Sequence, residues 1–129
     1  MLAADTNVWA RALLEDDKAQ AAKAKAALTL ARSADGIFVP LLVLVELSWV
    51  LRSRWEREKV LDMLDGMLRT RGVEVEATAL ARKAIDAARN GATGFADHLI
   101  AEISFASGAD EILTFDKAFA RQPRVRRLS

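Results

Sequence analysis

IFVPLLVLVELSWVL, residues 37–51, sets a short run of β-branched and aromatic residues, a proline and an apolar helix one after another. Ile37-Phe38-Val39 reads as a strand, and Pro40 suits the first position of a helix, where its missing N–H was unpaired anyway. The helical pattern then continues from Leu41 to about Thr70, with a break near Trp55, and Gly72 ends it. Inside this apolar run sits one carboxylate, Glu46. Its neighbours three and four residues away on a helix are Leu42, Val43, Trp49 and Val50, none of them basic. Ionised carboxylates are rarely buried without compensation, so the partner of Glu46 is the question that the fold has to answer.

The same alternation extends in both directions. MLAAD reads as a short strand, and residues 8–34 as helix in two pieces, broken near Glu15-Asp16-Asp17. The second piece is rich in strong helix formers. Asp35-Gly36 signals a turn. Beyond Gly72, VEVE (73–76) is a weak strand, 78–89 a helix, NGATG (90–94) a loop and 95–107 a helix stopped by Gly108. EILT (111–114) is a strand, Asp116 caps a short helix over KAFAR, and RVRRL is a last edge strand. Strands alternating with helices give a parallel sheet covered on both faces, in one domain over 1–129. In such folds ligands sit beyond the carboxyl ends of the strands.

Composition narrows the class. The chain has 129 residues, 52% hydrophobic and 29% charged, with a net charge of +1, which fits a folded soluble domain. It has no cysteine, which excludes a disulfide framework and thiolate metal sites and suits a reducing cytoplasm. No stretch approaches the roughly 18 apolar residues of a membrane span. The early charge in MLAAD leaves no room for a signal peptide, so a cytoplasmic protein is expected.

Asp5 after the first strand, Glu46, Asp97 in the first turn of helix 95–107, and Asp116 after EILT each lack a lysine or arginine three or four residues away; the test is not exclusive, since Glu102 passes it too. Asp97 lies at the edge of an apolar arc of Phe95, Ala96, Leu99, Ile100 and Ile103. Separate accounts exist for each. Glu46 has a raised pKa or meets an arginine from elsewhere in the fold. Asp116 is a helix cap, Asp5 a turn residue, and Asp97 a favourable charge at a helix N-terminus. One shared account is that they converge on divalent cations. Oxygen ligands without cysteine favour magnesium or manganese. Such ions activate water and stabilise the leaving oxygen of a phosphodiester.

DTN at 5–7, Glu46 in its apolar helix, FADHLIA at 95–101 and TFDKAF at 114–119 together resemble the PIN-domain ribonucleases, and most closely the VapC toxins of bacterial toxin–antitoxin pairs. Each motif alone is weak; the four in order, at these spacings, are specific. The resemblance implies a three-layer α/β/α fold with about five parallel strands in the order 3-2-1-4-5. It implies a metal-dependent endoribonuclease whose Asp5, Glu46, Asp97 and Asp116 bind Mg2+ or Mn2+. Thr6, Asn7 and Thr114 match residues that hold the carboxylates or a bound water. It further implies an RNA substrate, a homodimer formed through helices around 41–68, and a small antitoxin that blocks the acidic groove with a basic residue.

Other residues are less telling. Glu102 is an outer acid of the groove or part of a solvated helix face. His98, the only histidine, cannot assemble a histidine metal site and reads as a surface residue or a support to the acids. Trp9, Trp49 and Trp55 read as core or subunit interface. The four arginines of RQPRVRRLS bind RNA phosphates or protect an edge strand. Two other function classes compete. A phospho-receiver domain has similar layers but needs an acidic pair after its first strand, where this chain has DTN. A catalytically inert PIN scaffold serving as a binding module would not need an intact acid set.

Overall fold

The computed structural model describes residues 1–129 and contains six α-helices with two parallel strand ladders, the expected α/β class. The chain divides into two compact units, Met1–Thr78 and Ala79–Ser129.

The first unit begins with β1 (Leu2–Ala3), α1 (Thr6–Leu14), α2 (Lys18–Ser33) and β2 (Ile37–Val39). It continues with α3 (Leu41–Arg52), α4 (Arg57–Arg69) and β3 (Val73–Val75). Both helix breaks fall where local chemistry placed them. Glu15 ends α1 in the left-handed region at φ 54°. Asp17 then caps α2 by accepting from Gln20 N at 3.0 Å. Pro40 is the residue before α3 rather than its first. It has no side-chain acceptor for the helix's first N–H groups, and Glu76 supplies one by accepting from Leu41 N at 2.8 Å.

The strands lie parallel in the order β1-β2-β3, with Leu2 opposite Ile37 and Ile37 opposite Val73. The central strand β2 buries Ile37 and Val39 completely or nearly so. Leu44, Leu47 and Leu51 of α3 and Leu61 and Leu64 of α4 are equally buried, while α1 packs on α2 and α3. The opposite face of α3 is in solvent: Leu42 is 68% exposed and Trp49 63%. Leu61, Leu64 and Met67 belong to the core, so they are unavailable to a dimer interface. Trp9 is core, and Trp55 is half-buried under Lys59, whose Nζ sits 4.2 Å from the ring centre.

The second unit comprises α5 (Thr78–Asn90), α6 (Phe95–Ala106), β4 (Ile112–Thr114), a 3-10 turn over Phe119–Arg121 and β5 (Val125–Arg127). β4 and β5 pair in parallel. The ladders β1-β2-β3 and β4-β5 are the two runs of the expected strand order. Ala101, Phe119 and Val125 form a small core with Phe105 and Ile112 packed on it. The apolar arc expected on α6 is rotated. Phe95, His98, Leu99 and Ala101 are buried, whereas Ile100 is 54% exposed and Ile103 38%. Two of the C-terminal arginines have structural partners. Arg124 donates to Asp110 O and Ala109 O and covers the Phe105 ring, and Arg126 pairs with Glu111 at 2.9 Å.

Candidate functional site

In the first unit, the site begins where β1 hands over to α1. Asp5 is the helix cap, its Oδ1 accepting from Val8 N at 3.2 Å. That bond fixes the χ angles of the carboxylate and leaves Oδ2 uncommitted. Thr6, the first residue of α1, donates its hydroxyl to Glu46 Oε1 at 2.8 Å. Glu46 therefore lies on the outer face of α3, exposed, facing the start of α1. The partner of the carboxylate in the apolar run is a hydroxyl, and no arginine reaches it. Asn7 is exposed on the first turn of α1.

In the second unit, Asp116 is held by its own loop. Its Oδ1 accepts from Ala118 N at 2.8 Å and Phe119 N at 3.0 Å. Its backbone N–H donates to Thr114 Oγ1 at 3.0 Å. Thr114 thus shapes the turn that carries Asp116. Asp97 sits half-buried in the first turn of α6 with no hydrogen bond of its own. Burial pushes its carboxyl above the usual carboxylate range, repulsion from Asp116 pushes it the same way, and His98 opposes them. The two carboxylates are therefore near enough to feel each other.

A common pattern connects the four acids. None pairs with a lysine or arginine. Asp5, Glu46 and Asp116 each give one oxygen to a structural hydrogen bond and keep the other. Carboxylates oriented by such bonds, with a free oxygen, are a donor set of the kind that hard divalent cations take. Asp97 and Asp116 add mutual repulsion that a cation relieves. Neither unit on its own gathers three His, Asp or Glu side chains closely enough to hold an ion.

Of the two sequence readings of His98, the surface one is corrected: the residue is buried, 3% exposed. Its Nε2 lies 3.1 Å from Thr93 Oγ1, and its ring meets Phe119 edge-on at 6.0 Å. A side chain on Gly91 would collide with it, since an added Cβ would fall 2.7 Å from Nε2. His98 anchors the 91–94 loop to the first turn of α6, which carries Asp97. Glu102 is half-buried on the same helix.

The family model described as PIN domain matches residues 3–125. No curated protein matches the chain.

Proposed function

The chain belongs to the PIN-domain family, whose members are generally nucleases and often metal-dependent, and from that premise we propose that it is an Mg2+- or Mn2+-dependent endoribonuclease serving as the toxin of a toxin–antitoxin pair. The observation that carries this reading is the set of four acids without a basic partner, three of them oriented through one oxygen with the other left over. Asp5, Glu46, Asp97 and Asp116 would hold the cation, which when bound acidifies a water and offsets charge on the leaving oxygen. Thr6 keeps Glu46 turned toward the start of α1, and Thr114 fixes the loop that carries Asp116. Residues 1–129 act as one nuclease domain in this reading. It needs no activated serine, cysteine or histidine, and the single histidine is taken up by Thr93 and the packing around Phe119.

A nuclease of this kind has to be silenced in the cell that makes it. An arginine or lysine from a small antitoxin would suit, because a guanidinium fork pairs with carboxylates at two points. The exposed Leu42 and Trp49 beside Glu46 offer apolar surface to that partner or to a second copy in a homodimer. The second reading is an inert PIN scaffold acting as a binding module, against which the intact set of four acids stands.

The deciding experiment is cleavage of RNA by the purified chain. Products with a 5′-phosphate and a 3′-hydroxyl, loss of activity in EDTA and its return with Mg2+ or Mn2+ are expected. A 2′,3′-cyclic phosphate, or full activity in EDTA, would contradict the mechanism. No cleavage with either metal would leave the scaffold reading in its place.

A further inference from the structure

Beside Asp5, α1 and α2 pack together and leave an open groove of about 500 Å³ between them. Asp5 lines it together with Asn7 and Arg11 from α1 and Gln20 and Lys23 from α2. Between these polar side chains it is lined by Val8 of α1 and by the small Ala24 and Ala27 of α2, so an extended chain can approach α2 closely. The charges in the groove are not spent equally. Arg11 contacts Asp16 at 3.3 Å through one nitrogen, and Asp16 is shared with Arg54 at 3.5 Å. Lys25, on the next turn face, is paired with Glu15. Lys23 has no ion pair and no hydrogen bond. Its ammonium is therefore a free cation in the same groove as a candidate catalytic carboxylate.

We infer that this groove holds the sugar-phosphate backbone of single-stranded RNA leading into the site, with Lys23 as the positioning cation; the inference rests on the nuclease reading above. Asp5 by itself repels a phosphodiester, and Lys23 with the remaining N–H groups of Arg11 offsets that repulsion. Asn7 and Gln20 carry amides that both donate and accept, which suits 2′-hydroxyls and base edges and has less to offer an acidic peptide made of carboxylates alone. Lys23 touches the backbone, not the reacting atoms, so its loss affects binding more than the chemical step.

The test uses the full chain carrying Asp97→Asn to prevent cutting, and a fluorescent single-stranded RNA of mixed sequence as probe. Binding is followed by anisotropy over a salt series. Losing one phosphate contact makes the slope of log affinity against log salt shallower by about 0.7. Lys23→Ala is expected to show that change and Lys23→Arg is not. Lys23 is exposed on a helix and unpaired, so alanine there does not threaten folding. In the otherwise unaltered enzyme, Lys23→Ala is expected to raise KM several-fold with kcat nearly unchanged. If the enzyme cuts RNA but the slope is the same with and without Lys23, the groove assignment is wrong and the nuclease reading survives. If the unaltered chain neither binds nor cuts RNA, both fall. If Lys23→Ala weakens only an acidic protein partner and leaves RNA binding alone, the groove is a protein-docking site and the inference is overturned.

Discussion

Replacing Thr6 by valine deletes one hydroxyl while keeping the shape of the side chain. In the structure that hydroxyl does one visible thing, donating to Glu46 Oε1 at 2.8 Å across a separation of 40 residues. A hydrogen bond to an ionised group contributes roughly 1.5–3 kcal/mol when well shielded. Glu46 is exposed, so water competes for the carboxylate and about 0.5–1 kcal/mol is the expected loss. For a chain of this size that corresponds to a melting temperature lower by about 2–4 °C. The effect on cleavage is expected to be larger than the effect on stability. A residue that orients a metal-binding carboxylate typically changes metal affinity or activity about 10–100-fold. Glu46→Gln gives the complementary result. The amide oxygen still accepts from Thr6, so stability stays within about 0.5 kcal/mol while metal-dependent cleavage collapses. The assay is thermal melting without metal alongside cleavage titrated with Mg2+, on each single variant and the double. Because both changes act through one carboxylate, their effects on cleavage are expected to fall well short of additive. Thr6→Val cleaving RNA at the unaltered rate, at limiting Mg2+, would refute the assignment of Thr6 as the residue that orients Glu46.

Three further outcomes follow from other parts of the molecule. The raised carboxyl of Asp97 means that the folded state binds its proton more tightly than the unfolded state. Its contribution is favourable below the unfolded pKa and is lost as pH rises through the folded one. Asp97→Asn is therefore expected to melt higher than the unaltered chain at neutral pH without metal and to gain less from added Mg2+; a lower melting temperature there would contradict the repulsion from Asp116. Gly72 turns between α4 and β3 at φ +84°, and an added Cβ would lie 2.5 Å from Arg32 O. Gly72→Ala is expected to cost about 2 kcal/mol or more in urea unfolding. Gly66, inside α4 with nothing near its missing Cβ, is the contrast. Gly66→Ala is expected to stabilise by about 0.5–1 kcal/mol, and equal results at the two glycines would overturn both arguments.

The order and kind of elements were legible because their punctuation is local. Asp17 after Glu15, Pro40 after Ile37-Phe38-Val39, Gly72 and Gly108 each act on their own few residues of backbone. What was not legible was the rotation of two helices. α3 carries large apolar residues on every side, so the 3.6-residue period has no polar stripe to set its phase. Trp49, read as core or subunit interface, lies in solvent with Leu42, and that is why Glu46 between them needed no burial. α6 misled in the same way, with Ile100 and Ile103 outside and His98 inside. Inward placement of a histidine depends on a hydroxyl and a side-chain-free backbone arriving from another segment, here Thr93 and Gly91. No periodicity records such a meeting.

The four acids stood out by the lack of basic neighbours together with their places after strands and within apolar helices, and the first of these signals has a physical basis. A surface carboxylate with a structural role only is most cheaply satisfied by a lysine or arginine one turn away, as Asp65 is by Arg69 at 2.8 Å. A carboxylate that must bind something else cannot be given that partner, because the ammonium or guanidinium would compete with the ligand. It still has to be aimed, and the donors that aim without neutralising are hydroxyls and backbone N–H groups. Glu46 takes a hydroxyl, Asp5 one backbone N–H and Asp116 two. The absence of basic neighbours is readable from sequence spacing. The hydroxyl and N–H groups that replace them are not: Thr6 stands next to Asp5 but donates to Glu46, 40 residues away, and Thr114 accepts from the backbone N–H of Asp116 instead of donating to its carboxylate. Asp97 is the exception that completes the reasoning. It has neither kind of donor, and burial together with repulsion from Asp116 shifts its titration upward. Its carboxylate should therefore respond most strongly to an added divalent cation, and the metal-dependent change in its side-chain carbonyl NMR shift should exceed that of Asp5, Glu46 or Asp116. Equal responses at all four would mean that repulsion from Asp116 plays no part in how the site takes its ion.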